Sequence, residues 1–462
     1  MTLPADLLEA AAASGGGRLV LVVGAGASVE EPTGLPLSRE CSLEAHRRLV
    51  SDGVLADGAC PEPEDLSAVA DAVVEATGGQ QALVERLPLR RFQSAEPNEG
   101  CLVAAALLRE GAVSCVLTLN FDLAMSAALS QVGADEAVGL IAGPEEHHRL
   151  STVNLIYLHR NVNADPESWI LRRDALDDEW RERWEEVVVQ RVVAGPVTVF
   201  AGLGTPAAVL IETSRRIRAA IPEGIAVFQV DPGPAADSMF FSELGLSEDS
   251  YIQEGWCEFA RELADRVVEE QTAELRDTCR ELIAEEEWED DDPEALCERL
   301  GRLGLVRIGR LRARWGLEQS PYSPRSGVEA RQIADLLLAI GVVERASGAT
   351  AAFEDDGVVE FRRGDRAPTP VLLASGRGSR RWIAVEARIA QQAHRRRPRD
   401  PGPRFALVGG VSGGRPEAIA APDSVVRGPA SAGDIIDRGT GVELVTIDEL
   451  RESPELAERL AA

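Results

Sequence analysis

The chain has 462 residues, of which 45% are hydrophobic and 27% are charged, so it is long enough for two or three domains and too apolar to be disordered. Its formal net charge is −29, and its sequence contains no lysine. Chemistry that depends on lysine is therefore excluded, namely a Walker A phosphate site, a Schiff base and the lysine of a nuclease ExK motif.

The charge is spread unevenly. Residues 321 to 462 carry equal numbers of arginines and acidic residues, so the whole net charge of −29 belongs to the first 320 residues. An acidic surface there disfavours nonspecific binding of nucleic acid. Because no apolar run reaches the length of about 18 residues needed for a membrane span, and no signal-type segment begins the chain, we expect a cytoplasmic protein without membrane contact.

The seven cysteines argue against a metal or disulfide framework. Their number is odd and they never form a CxxC pair; they are Cys41, Cys60, Cys101, Cys115, Cys257, Cys279 and Cys297. We expect them to be free cysteines that serve as small hydrophobic residues, with no zinc.

The first half of the chain alternates strands and helices. A short apolar run at 18–23 predicts a buried strand, and helices are predicted over 37–52, 65–88 (broken at Gly78-Gly79) and 98–109. Further strands are predicted in AVSCVLTLNFD (112–122), NLIYLH (154–159), VTVFAGLG (197–204) and IAVFQVDP (225–232). This alternation predicts an α/β fold: a Rossmann-like parallel sheet with helices on both faces and a ligand site beyond the carboxyl ends of the strands.

The second half predicts a helical segment and then a smaller C-terminal α/β domain. Residues 255–318 are helical in pattern and charged, and EQSPYSPRSG (318–327) reads as a boundary. A helix is predicted over 328–340, and strands in GVVEFR, PVLLAS, RWIAVEAR, RFALVGG and VELVTI. We therefore predict a first α/β domain at 1–260, a helical connector at 261–320 and the smaller domain at 321–462.

A glycine-rich turn follows the first strand. Gly24, Ala25, Gly26 and Ser28 place backbone N–H groups at the start of a helix, where a phosphate is favoured. Such turns also occur in proteins that bind no nucleotide, so the turn alone leaves cofactor binding open. A second turn, Gly34-Leu35-Pro36 followed by Arg39, is suited to covering a ligand held by the first.

Polar residues stand at the ends of two further strands. Thr118, Asn120 and Asp122 follow the second strand, and His159 follows the third. Since the carboxyl ends of parallel strands share one edge of a sheet, these side chains should meet beside the glycine turn. The other interpretation is that Asn120 or Asp122 caps the next helix and that His159 is an ordinary core residue.

Together these motifs, in this order, resemble the sirtuin-like NAD-binding family over roughly residues 15 to 260. The resemblance implies a site for NAD built from Gly24, Ala25, Gly26, Ser28, Pro36, Arg39, Thr118, Gly202, Gly204, Thr205 and Asp231. The turn at 24–28 would hold the phosphates, the turn at 202–205 would meet the adenosine half, and Asp231 would lie near the adenine ribose. Arg39 would lie in the flexible cofactor loop.

The resemblance also implies the catalytic residues. Asn120 would position the nicotinamide ribose and the attacking water, Asp122 would recognise the carboxamide, and His159 would act as general base. Cleavage of the nicotinamide glycosidic bond passes through an oxocarbenium-like state, to which an amide that orients water and a base are suited.

Three departures from the family pattern bear on the activity. The paired CxxC motifs of sirtuin deacylases are missing, Arg160 stands where the family has glycine, and Leu37 and Ser38 replace the usual residues before Arg39. These departures disfavour deacylation and favour an NAD+ hydrolase that releases nicotinamide and ADP-ribose. The alternative is that Arg160 disables the site and leaves a non-catalytic sensor of NAD or ADP-ribose.

The zinc-free bacterial branch of the family resembles anti-phage effectors that deplete NAD. A cell tolerates such an enzyme only if it is regulated, so we expect a homo-oligomer or activation by a partner such as a DNA-translocating ATPase of the HerA type or a short Argonaute.

The C-terminal domain faintly resembles the restriction-endonuclease-like fold in its IAVEAR segment. There Glu386 is followed by Arg388 and not by lysine, so we expect an inactive module for docking or oligomerisation. An arginine-rich stretch that includes Arg395, Arg396 and Arg397 could contact nucleic acid, and a nucleic-acid-associated adaptor is a further alternative.

Overall fold

The computed structural model describes residues 3–12, 18–135, 137–173, 183–204, 208–221, 224–285, 288, 293–315, 327–355, 357–375, 385–386, 389–390, 403–409 and 442–462. Within these ranges the chain divides into two compact units, unit 1 up to Val267 and unit 2 from Val268 onward. None of the helices found there combines the length and the apolar character that crossing a membrane requires.

Unit 1 is built on a parallel sheet of seven strands in the order β3-β4-β2-β1-β5-β6-β7. The strands are β1 Leu19–Val23, β2 Val113–Thr118, β3 Gly139–Ile141, β4 Asn154–Tyr157, β5 Val197–Ala201, β6 Ala226–Val230 and β7 Tyr251–Ile252. The predicted Rossmann-like sheet is confirmed. The two edge strands β3 and β7 were not predicted, because three and two residues are too few to show a pattern.

In unit 1 one helix precedes β1 and the others lie between successive strands. They are α1 Ala5–Ala12, α2 Ser38–Ser51, α3 Leu66–Thr77, α4 Gln81–Val84, α5 Leu89–Gln93, α6 Glu99–Glu110, α7 Ala124–Val132, α8 Trp184–Val193, α9 Ala208–Ala220 and α10 Met239–Leu244. The predicted break at Gly78 is confirmed, since Gly78 adopts a left-handed conformation that ends α3.

The strand β1 lies at the centre of the sheet, with β2 on one side and β5 on the other. All five residues of β1 are buried, as expected for a parallel strand covered on both faces. The chain extends the sheet to one side through β2 and to the other through β5. The turn after β1 therefore lies where the strand order reverses, which is the usual ligand position in sheets of this class.

Unit 2 combines helices with a mixed sheet in the order β12-β11-β10-β9-β8. Its strands are β8 Thr350–Phe353, β9 Val358–Arg362, β10 Thr369–Ser375, β11 Phe405–Gly409 and β12 Glu443–Thr446. The strands β8, β9 and β10 pair antiparallel, whereas β10, β11 and β12 pair parallel. The helix α11 Trp256–Ala284 contributes to both units, and unit 2 adds α12 Glu294–Gly301, α13 Leu305–Trp315, α14 Gly327–Ser347, α15 Ile447–Glu452 and α16 Pro454–Leu460.

One predicted strand of unit 2 is wrong. In RWIAVEAR (381–388), residues 385–386 are helical, as are residues 389–390 just after it. The buried side chains of Val385 and Ile389 pack in the same core as β10 and β11, and their spacing of four residues fits one face of a helix. The physical reason is that β10 and β11 pair parallel, so the chain between them must cross over. Glu386 is thus exposed on a helical segment, and Arg388 and Arg395 to Arg397 lie outside the described residues.

Candidate functional site

The glycine turn after β1 packs backbone against backbone on the turn after β5. The amide of Gly24 donates to the carbonyl of Ala201 and the amide of Gly26 donates to the carbonyl of Gly202, both at 2.9 Å. A Cβ atom on Gly26 would lie 2.7 Å from the Cα of Gly202, so glycine is required for this approach. The amide of Ala27 is also used, on the carbonyl of Gly24 at 3.1 Å, so a phosphate held by the turn would be held by amides other than these three.

A hydrogen-bond network joins the ends of β1 and β2. The side-chain amide of Asn120 donates to the carbonyl of Gly24 at 3.0 Å and to the hydroxyl of Ser28 at 3.1 Å. The Ser28 hydroxyl in turn donates to Oδ2 of Asp122 at 2.9 Å. The amide N–H of Asn120 donates to the hydroxyl of Thr118 at 3.1 Å, which fixes the start of the segment. The structure thus joins three residues at or just after the end of β2, Thr118, Asn120 and Asp122, to Ser28 of the glycine turn.

Asp122 is buried and serves two purposes. Its Oδ1 accepts from the amide of Ala124 at 2.9 Å at the start of α7, while its Oδ2 binds Ser28. Burial raises the pKa of the Asp122 carboxyl, and the amide of Ala124 and the Ser28 hydroxyl oppose this shift. The capping interpretation therefore explains one oxygen of Asp122 but neither the second oxygen nor Asn120, whose side chain points to the glycine turn.

His159 follows β4, the strand next to β2. The amide of Leu158 donates to the carbonyl of Thr118 at 2.9 Å, so the chain before His159 is held against the end of β2. Burial, aided by the charge of Arg160, lowers the pKa of His159 to about 3. The imidazole is therefore neutral at pH 7 and can accept a proton, although a base of such low pKa is a weak one.

We expect the buried His159 to make the protein sensitive to mild acid. The pKa of His159 is about 3 in the folded protein and ordinarily 6.5, so below pH 6.5 the unfolded chain binds a proton that the folded chain does not. Stability is therefore lost as the pH falls below 6.5, by about 2 kcal/mol at pH 5. In urea unfolding at pH 7 and pH 5, His159→Gln should reduce the pH-dependent loss by about this amount. An unchanged loss in this variant would contradict the burial of a neutral imidazole.

The second predicted loop lies against the glycine turn. The amide of Leu35 donates to the carbonyl of Ser28 at 2.8 Å, and Gly34 has a φ of 52°, a conformation that favours glycine. Pro36 is half-buried and lies two residues before α2, whereas Arg39 is exposed in the first turn of that helix. Pro36 thus directly follows Leu35, the residue that bonds to the glycine turn, whereas the Arg39 side chain lies at the surface.

The residues predicted for the adenosine half lie beyond β5 and β6. Gly202 is part of the packed turns, whereas a Cβ atom on Gly204 would meet nothing within 4 Å. Asp231 follows β6, where its carboxylate accepts from the amide of Gly233 at 2.8 Å. The strand β5 separates β6 from β1, so Asp231 stands farther from the glycine turn than Asn120 does. Thr205 lies outside the described residues.

Sequence reasoning missed Asn98. This residue is fully buried, and its side-chain amide donates to the carbonyl of Ala27 at 2.8 Å, while its Oδ1 accepts from the amide of Cys101 at 3.0 Å at the start of α6. Its own amide donates to the hydroxyl of Thr33 at 2.8 Å. Asn98 thus ties the glycine turn and the second loop to α6. An asparagine before a helix predicts a cap, but nothing in the sequence indicates the bonds to a segment about 70 residues earlier.

The seven cysteines are all free and buried. Burial raises the pKa of Cys41 to about 11 and that of Cys115 to about 12, so both are thiols at neutral pH. Among the residues that the structure describes, no group of three or more His, Cys, Asp or Glu side chains is arranged to hold a metal ion.

Comparison with known proteins gives structural similarity alone. No protein-family model and no curated protein matches the chain. Among solved structures, a Sir2 homologue in complex with NAD is 17% identical, with 59% of this chain and 96% of that chain covered and a TM-score of 0.35. A mutant Sir2 homologue in complex with 2'-O-acetyl ADP ribose is 18% identical, with 58% and 97% covered and a TM-score of 0.35. A structure from work on the mechanism and regulation of Sir2 enzymes is 14% identical, with 57% and 98% covered and a TM-score of 0.31. At these values the likenesses carry no argument about activity.

Proposed function

We propose that this protein is an NAD+ glycohydrolase, which cleaves the bond between nicotinamide and its ribose to give nicotinamide and ADP-ribose. The observation that carries the proposal is the network of Asn120, Ser28 and Asp122, which joins the glycine turn after β1 to the end of β2. His159 follows β4, next to β2, so a ligand lying beyond the carboxyl ends of these strands would have an oriented amide and a neutral imidazole beside it.

The hydrogen bonds of Asn120 assign its side-chain atoms. Both hydrogens of its amide nitrogen are used, one on the Gly24 carbonyl and one on the Ser28 hydroxyl. Its Oδ1 is then the atom that can accept a hydrogen bond from a water molecule. In the proposed reaction the bond between the ribose C1′ and the nicotinamide nitrogen breaks, that electron pair leaves with neutral nicotinamide, and water adds to C1′.

The low pKa of His159 is compatible with this reaction. The oxocarbenium-like state is strongly electrophilic, so water need not be deprotonated before it attacks, and a weak base can accept the proton late. The buried Asp122 accepts a hydrogen bond from the Ser28 hydroxyl. It therefore fixes the position of the hydroxyl to which Asn120 donates. We propose that Asp122 also faces the carboxamide of nicotinamide.

The second candidate is a sensor that binds NAD or ADP-ribose without turnover. The observation that favours it is the burial of His159, a residue that is only 8% exposed and whose pKa is lowered. Calorimetric titration with NAD, run beside an assay of nicotinamide release, separates the two. Release by the wild type that is lost in His159→Gln supports the hydrolase, whereas tight binding without release supports the sensor.

A role in anti-phage defence and an oligomeric or partner-bound form extend the same proposal. They rest on the resemblance of the sequence and on the argument that unregulated NAD cleavage is toxic. The test is the NAD content of phage-infected cells that express the wild type or Asn120→Ala, with and without a co-expressed HerA-type ATPase or short Argonaute. Equal NAD content in all of these cells would contradict the defence role.

A further inference from the structure

The backbone of Arg160 is unusual. Among the residues that the structure describes, Arg160 is the one non-glycine residue with a positive φ, at 77°. A residue with a side chain is strained in this left-handed region, and such strain persists only where the surroundings hold it. Arg160 directly follows His159, so the strained residue lies next to the proposed base.

The side chain of Arg160 is held in place by several groups. Its Nη2 forms an ion pair with Oε1 of Glu185 at 2.9 Å, and its Nη1 donates to the carbonyl of Leu158 at 3.2 Å. The guanidinium carbon lies 5.4 Å from the centre of the Trp184 ring, a cation-π distance. The side chains of Arg160 and Glu185 are only 13% and 5% exposed, so solvent screens the pair little.

These contacts tie the turn at His159 to two other segments. Glu185 and Trp184 begin α8, and the indole N–H of Trp184 donates to Nδ1 of His147 at 3.0 Å in the short helix Pro144–Arg149. Removing one partner of a buried ion pair leaves the other charge buried and unpaired, which is far more costly than breaking an exposed pair. The ion pair and the Trp184 contact therefore hold the Arg160 side chain, and with it the turn, to α8.

We propose that Arg160 and Glu185 are positioning residues, which fix the turn after β4 so that the His159 imidazole keeps one orientation toward the reacting ribose. This inference rests on the proposed function. The bond from Arg160 to the Leu158 carbonyl closes a loop around His159, so the ion pair restrains the backbone on both sides of the histidine. The guanidinium of Arg160 also places a positive charge beside the His159 imidazole, and this charge favours the neutral form of the imidazole.

The kinetic test compares Arg160→Met with the double variant Arg160→Met/Glu185→Met. The single variant leaves Glu185 buried without its partner and should unfold at a lower temperature, whereas the double variant removes both charges and should recover the unfolding temperature. If the pair positions His159, kcat falls about 10- to 100-fold in both variants while KM for NAD stays within twofold. Recovery of kcat together with stability in the double variant would overturn the proposal.

Arg299→Met is the matched control. Arg299 pairs with Glu344 at 2.7 Å and donates to the carbonyl of Ala351 at 3.0 Å, so it repeats the contacts of Arg160 within unit 2. This variant should lose stability and keep kcat within twofold.

A second readout does not require turnover, so it separates failure of this inference from failure of the proposed function. In protein with isotope-labelled histidines, the NMR signal of His159 is assigned by its loss in His159→Gln. In the double variant the proposal predicts a split or broadened His159 signal and an unchanged signal of His46. A single sharp His159 signal, shifted or not, would show that the imidazole keeps its orientation without the pair and would overturn the proposal.

Discussion

Replacing Gly202 by alanine is expected to displace the glycine turn and to weaken NAD binding at least about tenfold. A Cβ atom on Gly202 would lie 2.5 Å from the amide nitrogen of Ala27, and Gly202 has a φ of 64°. Alanine in this conformation is strained, and the backbone of the turn cannot yield as a flexible side chain could. We expect a loss of about 2 to 4 kcal/mol in the free energy of unfolding, from strain and overpacking together.

Gly204→Ala is the control for this prediction. It lies two residues away in the same turn, yet its Cβ would meet nothing within 4 Å. Urea unfolding should therefore show a near wild-type value for Gly204→Ala and a large loss for Gly202→Ala, and calorimetric titration with NAD should show the roughly tenfold loss of affinity for Gly202→Ala. Equal behaviour of the two variants would mean that the contact between the turns after β1 and β5 does not shape the site.

Replacing Asn120 by alanine is expected to lower the rate of nicotinamide release by about 100- to 1,000-fold. The variant removes two groups. One is the side-chain N–H₂ that donates to the Gly24 carbonyl and the Ser28 hydroxyl, and the other is the Oδ1 that would orient water. The magnitude is that of losing one preorganised polar group at a reacting centre. NAD binding should fall much less, because the turn after β1 is also held by β5 and by Asn98.

Asn154→Ala provides the comparison. Asn154 is a buried asparagine that, like the half-buried Asn120, bonds to the backbone, in this case to that of Ser151. It stands at the start of β4 and not at the carboxyl end of a strand. Its loss should lower stability and leave the rate of nicotinamide release within a few-fold of the wild type. A similar fall in rate for both variants would show that stability, and not the position of Asn120, sets the rate.

The central sheet could be predicted because its strands carry local signals. The run at 18–23 is apolar on both faces and stops at Gly24, and the same pattern marks β2, β4, β5 and β6. The edge strands β3 and β7 form only because longer neighbours offer hydrogen bonds, which no local pattern records. The apolar residues around Val385 and Ile389 form a short run, which also fits a strand. The segment is helical because it belongs to the crossover between β10 and β11, and that crossover depends on the parallel pairing of these two strands.

The candidate site could be predicted only in part. Thr118, Asn120, Asp122 and His159 could be placed at one edge of the sheet, because the ends of parallel strands meet there. The sequence did not reveal Asn98, Glu185 or the packing of Gly202 on Gly26, because each depends on a contact between segments far apart in the chain. Arg160 could be noted as a bulky residue, but its positive φ and its buried partner belong to the folded structure.

The most direct test of NAD+ hydrolysis at Asn120 follows NAD by proton NMR in real time with the wild-type protein and with Asn120→Ala. We expect the wild type to convert NAD into free nicotinamide and ADP-ribose in equal amounts, and Asn120→Ala to do so at least about 100-fold more slowly. Bound NAD that stays intact with the wild type, or equal conversion by both proteins, would contradict this expectation.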